Sequence, residues 1–592
     1  MDRKKSQLLF NFLPDDTFNH AHNGAIGRIS WIYKDRSSPV EDLPLSYMLR
    51  RIRPRVERWP NTVPLRPSST EIVSPDGAKF ELFPRVFECR DCGACTEFSK
   101  SQIQSTTNPY CGNCRKQFTD TEQLQFVTVC PGGTISSISL PSCSSCGDCN
   151  PQFKRPTSRM RDAYWKCSAC GTRIGDGYLT LDHCDYCGKS KQIKVHSSSS
   201  TFYPQIEKFV NITDEDLEFI TDSEAYQLET IANYLVDEDA ESSRDEPDVP
   251  PDEVLDRLGV TEEEYLREME DYEEKQAEVR DEAEEWATDN LDDDERRIVS
   301  EELFEYDSLV SNGDITDTTL EDLYEVADTR PDIVQSEIDQ YREARDELSF
   351  DSVRLITDFP ITTVVYGYSR LNPGPGEDSE LNTFQAKTGD DRMFAQTADA
   401  EAVMFSLDEE QVLAWLIEND VIDDWPDMDN RQWLLSHLQE YPFYEEIDPD
   451  DEGSQEARYT LSLLHTLSHT VMNSIDALSG YSKSSLIEYL LPHTLSFVIY
   501  KHSDTDFNLG AMHTLIENRF LEVADYIQSD ADVCMYDPVC EEEENAACED
   551  CLYISNISCD NGNHNLSRST IYGGDFDGRE ITGYLHTDSR NV

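Results

Sequence analysis

The spacing of the cysteines constrains this chain more than any other feature of its sequence. Many of the 18 cysteines stand in pairs separated by two residues. Zinc takes four tetrahedral thiolate or imidazole ligands, and two such pairs supply a complete set. The first candidate ribbon consists of Cys89, Cys92, Cys111 and Cys114, with Cys95 offering a shifted first pair. The second candidate ribbon consists of Cys167, Cys170, Cys184 and Cys187.

Two further groups of cysteines are candidate metal ligands. Between the ribbons, a crowded run could form a third site from Cys130, Cys143, Cys146 and Cys149. Near the end of the chain, five thiols offer four ligands and one spare: Cys534, Cys540, Cys548, Cys551 and Cys559. We expect these sites to hold Zn²⁺ in a structural role, because a full shell of protein ligands leaves no position open for water or substrate.

The compartment follows from what the sequence lacks. The opening residues have only a short apolar run with no small-residue cleavage site after it, and no stretch approaches ~20 apolar residues. We therefore expect a cytoplasmic protein with no membrane contact. In a reducing compartment, paired cysteines are more often metal ligands than disulfides.

The chain is strongly acidic, with a formal net charge of −69. Self-repulsion of this size destabilises a compact protein in ordinary cytosol, whereas molar salt shortens the Debye length to ~3 Å and screens it. Acidic residues spread over most of the chain therefore favour a salt-adapted source such as a halophilic archaeon. The alternative is an acidic partner-binding protein from an ordinary cell.

The charge is divided unevenly along the sequence. Residues 1–210 carry 28 Lys and Arg against 21 Asp and Glu, whereas residues 211–592 carry 22 against 98. A basic half in so acidic a chain favours contact with DNA, although its cations could also pair with the acidic half. Next to Trp59, which could stack on a base, lie the candidate DNA-binding residues Arg50, Arg51, Arg53, Arg55 and Arg58. The alternative is that this cluster is a solvated loop.

Composition and periodicity predict a multidomain α+β protein. We expect an N-terminal basic region over residues 1–88, a zinc-ribbon domain over 89–200, an acidic helical segment over 201–350 and an α/β domain over 351–592. Residues 211–350 hold 51 acidic and 10 basic residues, which predicts exposed, loosely packed helices, with 237–252 too charged and proline-rich to fold.

After residue 350 the pattern changes to alternating strands and helices. Segments rich in β-branched and aromatic residues predict strands over Val353–Ile356, Ile361–Tyr368 and Leu495–Tyr500. Helices are expected through Trp415, through Trp433, from about Arg458 to Leu478, and from about Ala511 to Ile527. The run Ser406–Glu409 is interpreted as a capping box and Gly480 as a helix C-terminal glycine.

The motifs of several enzyme classes are absent. No GxxxxGK[ST] occurs, since the run ending at Ser190 has His183 where the first glycine is required. No histidine is followed two residues later by lysine, so the HxK motif of phospholipase-D-type nucleases is missing. His465 and His469 have the spacing of an HExxH motif, but position 466 is Thr466 instead of the catalytic glutamate. We therefore interpret the two histidines as helix-packing residues and expect no catalytic activity.

Several motifs together resemble the DrmB subunits of DISARM antiviral defence systems, whose domain of unknown function is related to the zinc-binding (MZB) domain of MrfA-like helicases. The resembling segments are Ser6–Leu8, the CxxC pairs followed by Thr201–Pro204, Ile361–Arg370, Leu464–His469 with Ser479–Ser482, and Asn545–Cys551 with Ser558, Cys559 and Asn561. The family usually has a CxxGH-like stretch near the middle, where this chain has Cys130–Gly133 without a histidine.

The resemblance implies a non-catalytic zinc-binding subunit, in a heterodimer with a DrmA-like helicase, that helps the helicase engage foreign DNA. Two other classes stay open. The chain could be a nuclease or other DNA-processing enzyme with an unrecognised site near His465, His469 and the loop Lys501–Asp506. It could also be a stand-alone zinc-ribbon DNA-binding protein, although the long α/β half exceeds what ribbons alone require.

Overall fold

The fold is described from a computed structural model of the full chain. The residues described are 8–9, 12–20, 24–34, 45–62, 65–105, 109–118, 122–147, 150–157, 162–174, 183–211, 223–236, 262–310, 317–320, 322–323, 335–376, 379–438, 455–480, 485–501, 510–543, 545–555, 557–559 and 561–587. Within these ranges the chain is a mixed α+β protein, as its composition and periodicity predict.

Two compact units divide the chain, and each is built from two stretches of sequence. The first unit comprises Met1–Phe209 and Thr362–Thr397, and the second comprises Val210–Ile361 and Ala398–Val592. The four consecutive segments expected from the sequence do not coincide with these units. The expected basic and ribbon segments share one unit, and the α/β segment is divided between both. Local composition does not record which distant segments pack into one unit.

The first unit is mostly β-structure. Its helices are Leu45–Glu57 (α1) and Lys100–Ser105 (α2). Its shorter strands are Thr17–Asn19 (β1), Ile26–Lys34 (β2), Thr70–Val73 (β3), Pro75–Leu82 (β4), Val86–Glu88 (β5), Cys95–Glu97 (β6), Phe126–Val129 (β7), Ile135–Ser137 (β8), Pro151–Lys154 (β9), Tyr164–Cys167 (β10), Arg173–Ile174 (β11), Gln192–Val195 (β12), Tyr203–Val210 (β13) and Asn382–Gln385 (β16).

Small antiparallel sheets carry the cysteines of the first unit. The strand orders are β1-β2-β4, β11-β10-β9, β12-β7-β8 and β5-β6. The buried residues Val86, Phe153 and Trp165 form one of the cores between these sheets. Arg370 is fully buried in this unit, where its Nε donates to the Gly133 carbonyl at 2.7 Å and its Nη2 to the Asp15 carbonyl at 3.0 Å. A guanidinium therefore joins segments that are distant in sequence.

The second unit combines helices with long antiparallel strands. Its helices are Glu224–Val236 (α3), Glu262–Asn290 (α4), Asp293–Val310 (α5), Gln335–Glu347 (α6), Glu409–Glu418 (α7), Asn430–His437 (α8), Gln455–Ser479 (α9), Ala511–Asp525 (α10), Val539–Glu543 (α11) and Ser569–Tyr572 (α12). Its strands are Asp317–Thr319 (β14), Leu486–Leu491 (β18), Ser496–Lys501 (β19), Gly574–Phe576 (β20) and Arg579–Ile581 (β21), with Phe350–Ser369 (β15) and Asp391–Leu407 (β17) divided between the units.

Helix α9 lies at the centre of the second unit. Every residue from Ala457 to Ile475 is buried, which is the pattern of a helix surrounded on all sides. The helix packs against β18, β19, α10 and α12, and Leu464, Leu467 and Val471 belong to its main hydrophobic core. The expected helix between Arg458 and Leu478 is confirmed, as is its end at Gly480, which has a φ of +73°.

The acidic segment departs from the expectation of loose packing. Helix α5 buries Val299, Leu303 and Leu309, and the hydroxyl of Tyr489 on β18 donates to Glu305 Oε2 at 2.5 Å. The helix has carboxylates on one face and buried apolar side chains on another. The net charge of the segment gives no indication of that apolar face. Residues 237–252 lie outside the described ranges.

Most of the elements expected after residue 350 are present, with one change at a helix end. The strands Val353–Ile356 and Ile361–Tyr368 are parts of the single strand β15. The N-cap of α7 is Asp408, whose side chain accepts from the Gln411 amide, so the expected cap at Ser406 is wrong. Ser406 belongs to β17 and hydrogen-bonds to Ser496 at 2.9 Å. None of the described helices combines the length and the apolar character needed to cross a bilayer.

Candidate metal centres

The first cysteine group is the one that the sequence predicts. Cys89, Cys92, Cys111 and Cys114 converge so that their sulfurs lie within 4.8 Å of one another. Each pair lies in a tight turn, in which the amide of Gly93 donates to Cys89 O at 2.7 Å and the amide of Arg115 donates to Cys111 O at 3.0 Å. Gly93 and Arg115 both have positive φ, at +67° and +64°. Glycine adopts this conformation without strain. The turns direct four thiols to one point, as a tetrahedral ion requires.

Cys95 is not part of this group. It is fully buried in the core that contains Val86 and Trp165. Burial raises the pKa of its thiol to about 12, so the side chain stays protonated and acts as a small apolar residue. The shifted pair with Cys95 as a ligand is therefore excluded by the geometry.

The next two groups correct the expected pairing of cysteines. The structure brings together Cys143, Cys146, Cys167 and Cys170, and separately Cys130, Cys184 and Cys187. The expected ribbon of Cys167 and Cys170 with Cys184 and Cys187 is wrong. Cys149, which was expected to complete the middle set, lies outside the described residues.

Strand pairing explains this exchange of partners. Cys167 ends β10 and stands opposite Pro151 on β9, a few residues after the Cys143 turn. The Cys184 turn leads into β12, which pairs with β7, and Cys130 follows β7 directly. The Cys143 and Cys170 sulfurs consequently lie 3.7 Å apart, and the Cys130 and Cys187 sulfurs 3.5 Å apart.

The group of Cys130, Cys184 and Cys187 contains three thiols and a hydroxyl. The turn after Cys130 has the glycines Gly132 and Gly133 where the other turns carry a second cysteine. The Thr134 hydroxyl lies 3.2 Å from the Cys130 sulfur and 3.3 Å from the Cys184 sulfur. Burial acts to raise the pKa of Cys184, but the Thr134 hydroxyl and the amides of Cys187 and Tyr186 lower it to about 6. Cys184 therefore favours the thiolate, whereas burial and the neighbouring Cys130 and Cys184 sulfurs raise the pKa of Cys187 to about 11.

The C-terminal group uses four of its five cysteines. Cys534, Cys540, Cys548 and Cys551 converge, with 3.6 Å between the Cys534 and Cys548 sulfurs and 3.8 Å between the Cys540 and Cys551 sulfurs. The Arg568 guanidinium supports the surrounding loops, since it donates to Ala546 O at 3.2 Å and to Asp537 Oδ1 at 2.8 Å. Cys559 is the cysteine left over from this group.

Cys559 belongs instead to a fifth group, which sequence analysis missed. It lies with His465 and His469 on α9 and Glu488 on β18, and all four side chains are 0% exposed. The His465 Nε2 atom is 3.1 Å from Cys559 Sγ and 3.2 Å from Glu488 Oε1, and the His469 Nε2 atom is 3.3 Å from Glu488 Oε1. The two histidines could therefore serve as metal ligands as well as core residues. The i, i+4 spacing pointed to this site, but its carboxylate comes from a strand and not from the helix.

Electrostatics prepare these side chains to act as ligands. Burial lowers the pKa of His469, which favours the neutral ring. Burial alone would raise the pKa of Glu488, whereas positive charge at the His469 and His465 rings lowers it well below its usual range. An ionised Glu488 in this fully buried position therefore needs a positive charge beside it.

Most of the arginine cluster lies on a helix, and not in the solvated loop that was the alternative to a DNA-binding cluster. Helix α1 carries most of it, with Arg53 and Arg58 exposed. Arg55 Nε lies 2.7 Å and Arg51 Nη2 3.4 Å from the carboxylate of Glu207, whose side chain is 3% exposed. Arg50 lies over the ring of Tyr47. Trp59 is 3% exposed, so its indole is a core residue and does not offer a stacking surface for a base.

Taken together, the described residues form an α+β protein with several groups of side chains that could hold metal ions. A family model described as a domain of unknown function (DUF8724) matches residues 4–203, the stretch that contains three of the cysteine groups. No curated protein matches the chain.

Proposed function

We propose that this chain is a zinc-binding, non-catalytic subunit that partners a DrmA-like helicase in a DISARM-type antiviral defence complex and helps it engage foreign DNA. The observation that carries the non-catalytic role is the completeness of the cysteine groups. Three of them supply four thiols each, and a zinc ion with four protein ligands has no position for substrate or activated water. Thiol-rich sets of this geometry suit zinc best among the common divalent ions.

Charge and sequence resemblance support the choice of partners. The first 210 residues carry 28 Lys and Arg against 21 Asp and Glu, although the whole chain is strongly acidic. Arg53 is exposed on α1, and Arg58 is exposed directly after the helix. Guanidinium groups on a helix can contact phosphates directly, which is the mode that persists when high salt screens long-range attraction. The motifs shared with DrmB-type sequences support the helicase as the partner, in a heterodimer in the cytoplasm.

The alternative of an unrecognised nuclease is less favourable. Its candidate residues His465 and His469 are both 0% exposed, so nucleic acid has no access to them in this fold. The neighbouring loop over residues 502–506 lies outside the described ranges. A stand-alone ribbon protein would not need the large second unit.

Co-expression with a DrmA-like helicase tests the proposal. We expect the two chains to purify together, the isolated chain to hydrolyse no ATP and cut no DNA, and the complex to bind DNA more tightly than the helicase alone. Turnover of ATP or DNA by the purified chain, absent from a mock purification, would contradict the non-catalytic role. Failure of the two chains to associate at any salt concentration would contradict the partnership.

A further inference from the structure

The strongest unassigned feature is the buried cluster of His465, His469, Glu488 and Cys559. Hydrogen bonds fix the ring tautomers. The Nδ1 atoms of His465 and His469 each lie 2.9 Å from a backbone carbonyl, of His564 and Leu552 respectively. A carbonyl oxygen only accepts, so each Nδ1 must carry the proton, and a neutral ring then has a bare lone pair on Nε2.

The other two members of the cluster also present acceptors. Cys559 Sγ receives the Asn563 amide at 3.1 Å, which suits a thiolate. The Ser468 hydroxyl donates to Glu488 Oε2, leaving Oε1 directed at the two rings. Two imidazole lone pairs, a sulfur and a carboxylate oxygen therefore converge within 4.8 Å. Four acceptors at this separation repel one another unless a cation lies among them.

Hydrogen bonds alone could satisfy these contacts only if Cys559 and Glu488 both kept a proton and each donated it to an Nε2 atom. A thiol is a weak donor, and the Asn563 amide and the Ser468 hydroxyl already donate to these two groups, which favours their ionised forms. A divalent ion satisfies all four acceptors at once. Two neutral imidazoles with one carboxylate and one thiolate also balance a charge of +2, so the complete site is neutral, as a site with no exposed atom should be.

We propose that His465, His469, Glu488 and Cys559 hold a structural zinc ion, separate from every cysteine group. The ion joins the central helix α9 to strand β18 and to the C-terminal loops. Backbone bonds from the ligand histidines to carbonyls are the usual outer-shell support of a metal site. The Asn473 side chain, on the same helix, donates to Cys551 O at 2.7 Å. This hydrogen bond connects α9 to the C-terminal cysteine group.

X-ray absorption at the zinc edge tests the proposal on the unaltered protein. Among the described residues, the other metal-binding groups consist of cysteines alone, so imidazole scattering should come from this cluster. We expect histidine ligands in the wild-type spectrum together with a majority of sulfur. A spectrum with sulfur ligands only would overturn the proposal.

Substitution of two ligands provides the matched test. The double variant His469→Asn, Cys559→Ser should lose one zinc ion per chain and all imidazole scattering. The control is His437→Asn, Cys95→Ser, which alters an imidazole and a fully buried thiol outside every such group, and it should lose none. Unchanged zinc content or persisting imidazole scattering in the ligand variant would overturn the proposal. If that variant does not fold, the wild-type spectrum still decides.

Discussion

The cysteines show how one residue type takes different roles according to what its side chain faces. Cys95 and Cys559 are both fully buried and both look like spare thiols beside a complete set. Cys95 faces apolar side chains and remains protonated. Cys559 faces two imidazoles and a carboxylate. Sequence spacing cannot separate the two roles, because the decisive neighbours are up to 94 residues away along the chain.

A charge reversal at Arg55 tests the arginine arrangement at the residue scale. Arg55→Glu would place a second carboxylate against Glu207 and remove the nearer of its two arginine partners, Arg51 lying 3.4 Å away. Breaking a buried ion pair leaves an uncompensated charge, and the expected loss is about 3–5 kcal/mol of unfolding free energy in denaturant titrations. Arg53→Glu, on the exposed face of α1, is the control and should change stability by less than about 0.5 kcal/mol. Equal effects of the two variants would contradict the assignment.

DNA binding by the exposed arginines on α1 and directly after it provides a second prediction. Arg53→Glu with Arg58→Glu should weaken DNA binding by the complex while leaving the fold and helicase association intact, because both side chains are exposed. Filter binding or fluorescence anisotropy at several salt concentrations would measure it. Charge-conserving Lys variants at both positions should retain most of the affinity. Unaltered binding by the Glu variant would exclude these two arginines as DNA contacts.

At the scale of elements, sequence patterns predicted individual helices and strands better than they predicted how these elements pair. Strand β15, helices α8, α9 and α10, and the first cysteine group followed from periodicity and spacing, since these signals are local. The pairing of β7 with β12 is long-range, and it alone decides which thiols Cys184 and Cys187 meet. The carboxylate of the buried cluster likewise comes from β18, whose sequence gives no sign of a ligand.

The exchanged pairing of cysteines is testable by paired substitutions. Cys146→Ala with Cys170→Ala removes two ligands from one site in the structure, so metal analysis should show the loss of one ion. The pairing expected from sequence spacing puts these residues in different sites and would lose two. Cys92→Ala with Cys114→Ala, both in the first group, is the control and should lose one ion. Loss of two ions from the first variant would restore the sequence-based pairing.

The acidic helices provide a further prediction at this scale. Tyr489→Phe removes the hydroxyl that donates to Glu305, a residue 2% exposed on α5. A buried carboxylate that loses a donor should cost about 1–3 kcal/mol of unfolding free energy. Tyr536→Phe, at a residue that is 63% exposed, should have almost no effect. If Tyr489→Phe left the free energy of unfolding unchanged, α5 would not belong to the core of the second unit.

For the whole molecule, charge makes stability depend on salt. With a net charge of −69, the folded chain should gain stability as KCl rises from about 0.1 M toward molar concentrations, because screening shortens the Debye length from about 10 Å to about 3 Å. Thermal unfolding should show a Tm that increases with KCl. Sucrose at matched osmolality serves as the control, and a larger effect of sucrose than of salt would count against electrostatic screening as the cause.

We propose that this chain binds several metal ions at separate sites, four of which offer complete sets of four side-chain ligands. Native mass spectrometry of the intact protein, checked by elemental analysis, measures it most directly. We expect at least four zinc ions per chain, and a fifth if Cys130, Cys184 and Cys187 also bind one. Three ions or fewer in protein purified without chelator and supplied with zinc would contradict it.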